Sequence, residues 1–235
     1  MSNRFAGLVV NHLPAFLVIP FAGFRVMVFS STMVYAEVMP TIAVLNQKGG
    51  CAKTTSCIYL GCALSAAGKK TTVIDLDRQG SAAEWWYQAD DDNQTLPFDV
   101  EELTPRQFKK WAKDRTDEDE FVLLDTPPGD PEIRHMAEQA ADFVILPASP
   151  SGLEIIQLMK TVDECEGTPM KVLITIAYAN TVTLRDMTAI LDSEEVPRFE
   201  SIVYHRQDIR RAFGNRPEDL HAYTDVAEEL CEAVK

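Results

Sequence analysis

Two lysines, two glycines and two threonines lie within residues 46–56, NQKGGCAKTTS. The backbone N–H groups of such a loop can wrap phosphate oxygens, and the start of a following helix favours anions. Gly49 and Gly50 would let the backbone approach a phosphate closely and adopt positive φ. The common pattern G-x-x-x-x-G-K-[ST] is not met, because its two glycines would fall on Gln47 and Ala52. A phosphate loop with a different residue pattern is therefore predicted.

A lysine, a threonine and three acids could supply the remaining chemistry. Lys53 is placed to reach the β and γ phosphates, and the Thr54 hydroxyl to coordinate Mg²⁺. Asp125 closes the apolar run FVLL and would hold Mg²⁺, while Asp75 and Asp77 close the run 71–77. The loop residues alone also suit a solvated helix start, but the acids favour a nucleotide site. The residues predicted to contact nucleotide phosphates are Gly49, Gly50, Cys51, Ala52, Lys53, Thr54 and Thr55.

Short apolar runs alternate with helix-like segments from residue 41 onward. Near-continuous apolar strands of this kind suit a sheet that helices cover on both faces. The sequence therefore predicts a three-layer, doubly wound, mostly parallel α/β sheet, whose ligands bind at the carboxyl ends of the strands. The predicted strands are 41–46, 71–77, 121–129, 141–149 and 170–180, with weaker ones at 98–103 and 198–204, and the predicted helices include 54–67, 151–165 and 183–194.

Composition limits the possible partners and the compartment. Of the 235 residues, 46% are hydrophobic and 25% are charged, as in soluble globular proteins. The net charge of -14 means that contact with nucleic acid would need a local basic patch. The five cysteines show no pairing pattern and are typical of free thiols in a reducing cytosol.

The first 38 residues differ from the rest of the chain. The apolar run 5–29 is interrupted by polar residues and by two prolines, whereas a spanning helix needs about 20 mostly apolar residues. We expect that translation naturally starts at Met39, that residues 1–38 are an extension not natural to the protein, and that 39–235 form one domain. A signal peptide or a membrane-associated segment is the alternative.

The motifs together resemble the ParA/MinD family of P-loop ATPases, whose Walker A loop is deviant. KGGCAKTT (48–55) resembles the family's K-G-G-x-x-K-T-T, and DLDRQGSA (75–82) its D-x-D-x-Q-G-S-A stretch. DTPPG (125–129) resembles the D-x-P-P-[SG] switch. Trp85 and the closing segment 223–230 are similar to the small, plasmid-type ParA proteins. The resemblance covers residues 40–235 and implies a P-loop NTPase fold of the ParA type.

This resemblance implies roles for individual residues. Lys48 is the family's signature lysine, which in relatives reaches the partner subunit's nucleotide and neutralises the transition state as an arginine finger would. It implies an ATP-sandwich homodimer that uses ATP and Mg²⁺, with Lys48, Lys53 and Asp77 as the catalytic residues. Asp77 would orient or activate the attacking water, and Asp75 would support the Mg²⁺ shell. Asn180, after a strand end, is the predicted adenine contact.

The implied function is ATP-dependent DNA partition. The ATP-bound dimer would bind DNA without sequence preference, and a ParB-like centromere-binding partner would stimulate hydrolysis. The protein would be cytoplasmic and nucleoid-associated, without stable membrane association. Arg206, Arg210 and Arg211 of the basic run 205–217 are the DNA-binding candidates. A solvated, salt-bridged helix face is the alternative for these arginines, and Arg206 could instead approach the nucleotide.

Two departures from the family pattern bear on turnover. Ala52 replaces a glycine that most relatives keep before the second lysine, and Arg78 stands where proline is usual. If position 52 needs left-handed geometry, its methyl group costs about 1–2 kcal/mol. A non-hydrolysing nucleotide-gated switch is therefore an alternative function. A MinD-like positioning ATPase is another, although the acidic end DVAEELCEAVK lacks the basic amphipathic character of a membrane helix.

Overall fold

The computed structural model describes residues 40–115, 120–165 and 167–235 in full, and the backbone of residues 18–21, 24–29 and 32–36. The chain divides into two compact units, Met1–Val38 and Met39–Lys235. In the first unit, β1 (Val18–Phe21), β2 (Phe24–Phe29) and β3 (Thr32–Ala36) pair antiparallel in that order. Much of the apolar run 5–29 lies outside the described residues, and the start at Met39 stays a prediction. None of the described helices is long and apolar enough to cross a membrane.

The second unit alternates strands with helices. Its elements are β4 (Thr41–Val44), α1 (Lys53–Ala66), β5 (Thr71–Asp75), α2 (Ser81–Asp91), β6 (Asp99–Glu102), α3 (Pro105–Asp114), β7 (Phe121–Asp125), α4 (Pro131–Ala140), β8 (Phe143–Ala148), α5 (Gly152–Glu164), β9 (Met170–Ile174), α6 (Val182–Ser193), α7 (Gln207–Arg211) and α8 (Tyr223–Ala233).

The six strands β4 to β9 form one sheet in the order β6-β5-β7-β4-β8-β9. Every pairing between neighbours is parallel, which confirms the predicted doubly wound α/β class. Val44 and Asp75 each pair with Asp125, so the ends of β4, β5 and β7 are level. The chain after β4 leaves the sheet beside the point where strand order reverses, which is where such sheets bind ligands.

Helices cover both faces of this sheet, as three layers require. Because successive strand side chains point to opposite faces, Ile42 and Val44 join the cluster under α1, α2 and α8, while Ala43 and Leu45 join the cluster under the helices of the other face. All four are fully buried. The last helix is fixed to the first through the buried hydroxyls of Ser56 and Tyr223, 3.0 Å apart.

The prediction of a weaker strand at 198–204 is wrong. Only isolated parallel bridges form there, Val172 with Arg198 and Ala177 with Tyr204. The ladder is interrupted because the N–H groups of Glu200 and Ser201 donate instead to the Glu229 carboxylate of α8, at 2.8 and 2.9 Å. A side chain distant in sequence therefore replaces the strand partner.

Two other predicted strands, 121–129 and 170–180, are too long at their carboxyl ends. The first stops at Asp125, shortly before Pro127 and Pro128, which have no N–H for a ladder. The second stops at Ile174, and Ile176 then takes φ 51°, which turns the chain away from the sheet. Because both strands end early, the residues that follow them form loops at the carboxyl edge of the sheet, where ligands bind.

Candidate nucleotide site

The phosphate loop bends through two left-handed residues before α1 begins. Gly50 has φ 78°, and Ala52 has φ 69° and ψ 31° at the N-cap of α1. The carbonyl of Ala52 accepts the helix hydrogen bond from the Ser56 N–H at 2.8 Å. Ala52 thus occupies the left-handed conformation in which a side-chain methyl costs about 1–2 kcal/mol.

Side chains from neighbouring strand ends hold the loop in shape. The Asn46 amide donates to the Pro147 carbonyl at 2.6 Å, and its oxygen accepts from the Lys48 N–H at 3.0 Å. The Thr175 hydroxyl donates to the Cys51 carbonyl at 3.0 Å. The loop is therefore braced from the ends of β8 and β9, and its curvature is set before any ligand arrives.

The two lysines of the loop differ in where their ammonium groups lie. Lys53 is 7% exposed, and its Nζ donates across the loop to the Lys48 carbonyl at 2.9 Å. The Lys48 side chain is 39% exposed, and its Nζ lies 3.4 Å from a carboxylate oxygen of Glu154 in α5. Lys53 thus points into the loop, whereas Lys48 points out of it toward a neighbouring helix, and the role of Lys53 as a phosphate ligand stays a prediction.

Cys51 is the neutral residue of the loop. It is fully buried, and its thiol donates to the Lys48 carbonyl at 3.3 Å. Burial raises the pKa of the Cys51 thiol against the lowering influence of Lys53. The side chain is consequently an uncharged filler beneath the loop.

Asp125 is buried beside Thr54 at the end of β7. Within the described part of the chain, neither of its carboxylate oxygens makes a hydrogen bond of ordinary geometry. Burial, and next the charge of Asp75, raise the pKa of Asp125 to about 7, while the nearby Thr54 hydroxyl lowers it. Buried carboxylate oxygens without a well-formed hydrogen bond suit a cation, and oxygen ligands are what Mg²⁺ prefers. Thr54 and Asp125 therefore fit a Mg²⁺ ion.

Asp75, the third predicted metal residue, accepts hydrogen bonds from backbone N–H groups. Its carboxylate accepts from the N–H groups of Asp77 at 2.9 Å, Ala82 at 2.8 Å and Ala83 at 3.1 Å. Burial raises the pKa of Asp75, and these three hydrogen bonds oppose that rise. Asp75 thus anchors the turn that carries Asp77 and caps the start of α2. Asp77 itself is half-buried and accepts from the Gln79 N–H at 3.0 Å.

A cavity of about 510 Å³ opens beside the loop. Gly50, Ala52 and Thr55 form one wall, and Tyr178 and His205 belong to the other. The two rings of that wall stack with centroids 4.8 Å apart and planes 18° apart. Its volume and aromatic wall, adjoining the phosphate loop, suit the base and sugar of a nucleotide.

Asn180, the predicted adenine contact, is exposed with φ 60° and does not line this cavity. Ile176 and Tyr178 from the same loop line it instead. Sequence reasoning missed Tyr178 and His205, although each is an aromatic ring near an end of a predicted strand. The position of each ring could be predicted from the sequence, but the contact between the two rings could not.

The three predicted DNA-binding arginines lie around α7, a helix of five residues. Arg206 and Arg210 line the cavity beside the phosphate loop. Arg211 lines a second cleft, of about 780 Å³, together with Arg206 and Arg216. Adjacent helical residues point about 100° apart, which separates Arg210 from Arg211.

A parallel sheet with a lysine-bearing glycine loop after its central strand and an acid at the neighbouring strand end defines a P-loop nucleotide-binding domain. Residues 42–217 match the CobQ/CobB/MinD/ParA nucleotide binding domain, and the chain belongs to this family. It is 37% identical over 206 residues to the "Maintenance of carboxysome distribution protein A" of Gloeobacter kilaueensis, over 80% of this chain and 93% of that protein. The relation inferred from the motifs is confirmed.

Solved structures of the same type support the fold. A plasmid partition protein of Borrelia burgdorferi bound to AMPPNP superposes with a TM-score of 0.65 at 19% identity, over 83% of this chain and 98% of that one. The septum site-determining protein MinD of Pyrococcus horikoshii, complexed with Mg-ADP, gives 0.66 at 19% identity, over 82% and 96%. These likenesses confirm the ParA/MinD-type fold.

Proposed function

We propose that the chain is a ParA-type ATPase that uses ATP and Mg²⁺ to switch from monomer to dimer. Family membership supports nucleotide binding. The cavity beside the loop accommodates the base and sugar, and buried Lys53 faces the phosphates. Thr54 and Asp125 would hold Mg²⁺, which would neutralise charge on the phosphate oxygens when bound.

The placement of Lys48 is the observation that carries this proposal. A lysine that served its own subunit's phosphates would point into the loop, as Lys53 does. Lys48 instead points outward, is partly exposed and lies against α5. From there, its ammonium group is available to a nucleotide on a second copy of the chain. Such a charge stabilises the transition state only when the dimer has formed.

Hydrolysis is assigned to Asp77, which would orient or activate the attacking water. It is half-buried on the turn that Asp75 anchors, at the same sheet edge as Asp125. A pure nucleotide-gated switch, without turnover, is the competing possibility because Ala52 is strained. Phosphate release by the full chain, with Lys53→Ala as the blank, separates the two. Release by the wild type that is lost in Lys53→Ala excludes the pure switch.

The proposed binding partner of the dimer is the DNA of the nucleoid, bound without sequence preference. Arg206, Arg211 and Arg216 line one cleft, which Asp208, Glu218 and Asp219 also line. Within the described residues, none of the three arginines forms an ion pair with these acids. With a net charge of -14, DNA phosphates would be attracted only locally, through these arginines, and two of the neighbouring acids, Asp208 and Asp219, face His221. Binding should therefore weaken steeply with salt, in proportion to the number of phosphates contacted.

Two cargo classes follow from the relatives. In DNA partition, a ParB-like centromere-binding protein would stimulate hydrolysis and release the dimer. The relative that is 37% identical along most of the chain is named for carboxysome distribution, which favours a protein body as the second candidate cargo. Stable membrane positioning is not proposed, because α8 carries acids and has no basic residue in its last turn.

The deciding experiment is size-exclusion chromatography with light scattering on the full 235-residue chain. It compares ATP, ADP and no nucleotide, each with Mg²⁺. A dimer with ATP alone is expected, and Lys48→Ala should abolish it while ATP binding by the monomer persists. A chain that binds ATP tightly and stays monomeric would refute the proposal.

A further inference from the structure

Glu154 is a buried carboxylate that the proposed mechanism does not use. It lies in the first turn of α5 and is only 3% exposed. The hydroxyls of Ser149 and Ser151 both donate to its Oε2, the latter at 3.0 Å. Its other oxygen, Oε1, lies 3.4 Å from the ammonium nitrogen of Lys48. Each carboxylate oxygen therefore has its own kind of partner, and Lys48 supplies the only opposite charge seen in these contacts.

A buried carboxylate is costly when its counter-charge leaves. Only the carboxylate of this pair is buried, since the Lys48 side chain is 39% exposed. A desolvated carboxylate that loses its counter-charge is destabilised, because the remaining charge stays out of water. The two serine hydroxyls supply dipoles but no charge. If Lys48 moves to a second copy of the chain, Glu154 loses its cation. The ion pair thus opposes that movement in proportion to its own strength.

The surroundings of the pair face outward. Leu153 and Ile156, on either side of Glu154 in α5, are 65% and 58% exposed. Large apolar side chains with this exposure, next to a lysine directed at a partner, suit coverage by a second copy of the chain. The same helix holds the loop at another point, where the Gln47 amide donates to Glu164 at 3.0 Å.

We propose that Glu154 is a positioning residue that retains Lys48 on its own subunit until a nucleotide-bearing second copy competes for it. The proposal rests on the proposed ATP-dependent dimer. Only a ligand of high negative charge, a nucleoside triphosphate on the second copy, would draw the ammonium away from a buried carboxylate. Glu154 therefore sets the protein concentration at which ATP produces the dimer.

The first test measures Lys48 directly and needs no dimer. The full chain without nucleotide is treated briefly with an amine-acylating reagent, and modification of Lys48 is quantified by peptide mass spectrometry. Glu154→Gln should raise the labelling rate at least threefold, because an amide cannot hold the ammonium by charge. Glu164→Gln is the matched control on the same helix, since it removes the negative charge that faces Arg134, keeps an oxygen that can accept from Gln47, and leaves Lys48 untouched. Equal labelling in Glu154→Gln and the wild type would overturn the proposal.

The second test measures dimerisation with ATP and Mg²⁺ as a function of protein concentration. Glu154→Gln should lower the midpoint about tenfold, equivalent to about 1.4 kcal/mol, while Glu164→Gln stays within twofold. A wild type that never dimerises refutes the proposed function, whereas a dimerising wild type with an unshifted Glu154→Gln midpoint refutes the role of Glu154 alone. If Glu154→Gln lacks a thermal transition, the shortened Glu154→Asp replaces it and should shift both readouts in the same direction.

Discussion

Replacing Ala52 with glycine should stabilise the nucleotide-free protein. Ala52 has φ 69° and ψ 31°, and an L-residue in this region pays about 1–2 kcal/mol for the contact between its Cβ and the backbone. Glycine removes that cost but gives the unfolded chain more freedom, which offsets about 0.4–1 kcal/mol. The net expectation for Ala52→Gly is about 1 kcal/mol of added stability. In a domain of this size, that corresponds to a rise in Tm of roughly 2–4 °C.

Urea unfolding of the wild type and Ala52→Gly in Mg²⁺-free, nucleotide-free buffer measures this difference. Gly50→Ala is the matched control in the same loop, because Gly50 has φ 78° and a Cβ there would meet nothing within 4 Å. It should lose stability through backbone strain alone, so the two variants should move in opposite directions. If Ala52→Gly is equal to or less stable than the wild type, the reasoning from backbone strain at position 52 is wrong.

Other predictions concern the acid, the core and the basic helix. Because the pKa of Asp125 is raised from 3.8 to about 7 on folding, unfolding releases a proton between these values, and the Mg²⁺-free protein loses stability as pH rises through that interval. Asp125→Asn removes this loss, so its stability relative to the wild type should grow by up to about 1.4 kcal/mol per pH unit above pH 4 and level off above pH 7, as measured by urea unfolding at a series of pH values. Gly61→Ala should destabilise by about 1–3 kcal/mol, because the new Cβ would lie 2.7 Å from the Phe98 ring; an unchanged unfolding midpoint contradicts this. Arg210→Gln should weaken ATP binding and spare DNA binding, and Arg211→Gln should do the reverse, as measured by nucleotide titration and by DNA binding at low salt.

The sheet and the phosphate loop were predictable because their signals are local. Apolar runs of four to six residues predict buried strands, and the glycines and lysines between the first run and a helix indicate the loop. Asp125 could be placed because it ends such a run, and parallel strands end at the same edge. The pairing of Thr54 with Asp125 follows from these two local facts.

The features that sequence reasoning missed depend on contacts between distant residues. The strand at 198–204 fails because Glu229 takes its N–H groups. The role of Asp75 in the Mg²⁺ shell stays a prediction, but the three backbone N–H groups from residues 77–83 that its carboxylate accepts were not foreseen. The wall of the cavity depends on the stacking of Tyr178 on His205, and no residue spacing in the sequence predicts that contact. In each case, several residues are chemically suitable partners, and the fold determines which of them makes the contact.

The same long-range contacts explain how the loop tolerates Ala52. The hydrogen bonds from Asn46 to Pro147 and from Thr175 to Cys51 tie the loop to the ends of β8 and β9, and the hydrogen bond from the Lys48 N–H to Asn46 shapes it from within. An intramolecular hydrogen bond contributes about 0.5–1.5 kcal/mol, so two or three of them suffice to hold a residue strained by about 1–2 kcal/mol. A loop shaped by its own glycines would relax when one was replaced. A loop held by the ends of β8 and β9 keeps its backbone conformation. Alanine in place of glycine at position 52 therefore lowers the stability of the protein and leaves the shape of the loop unchanged.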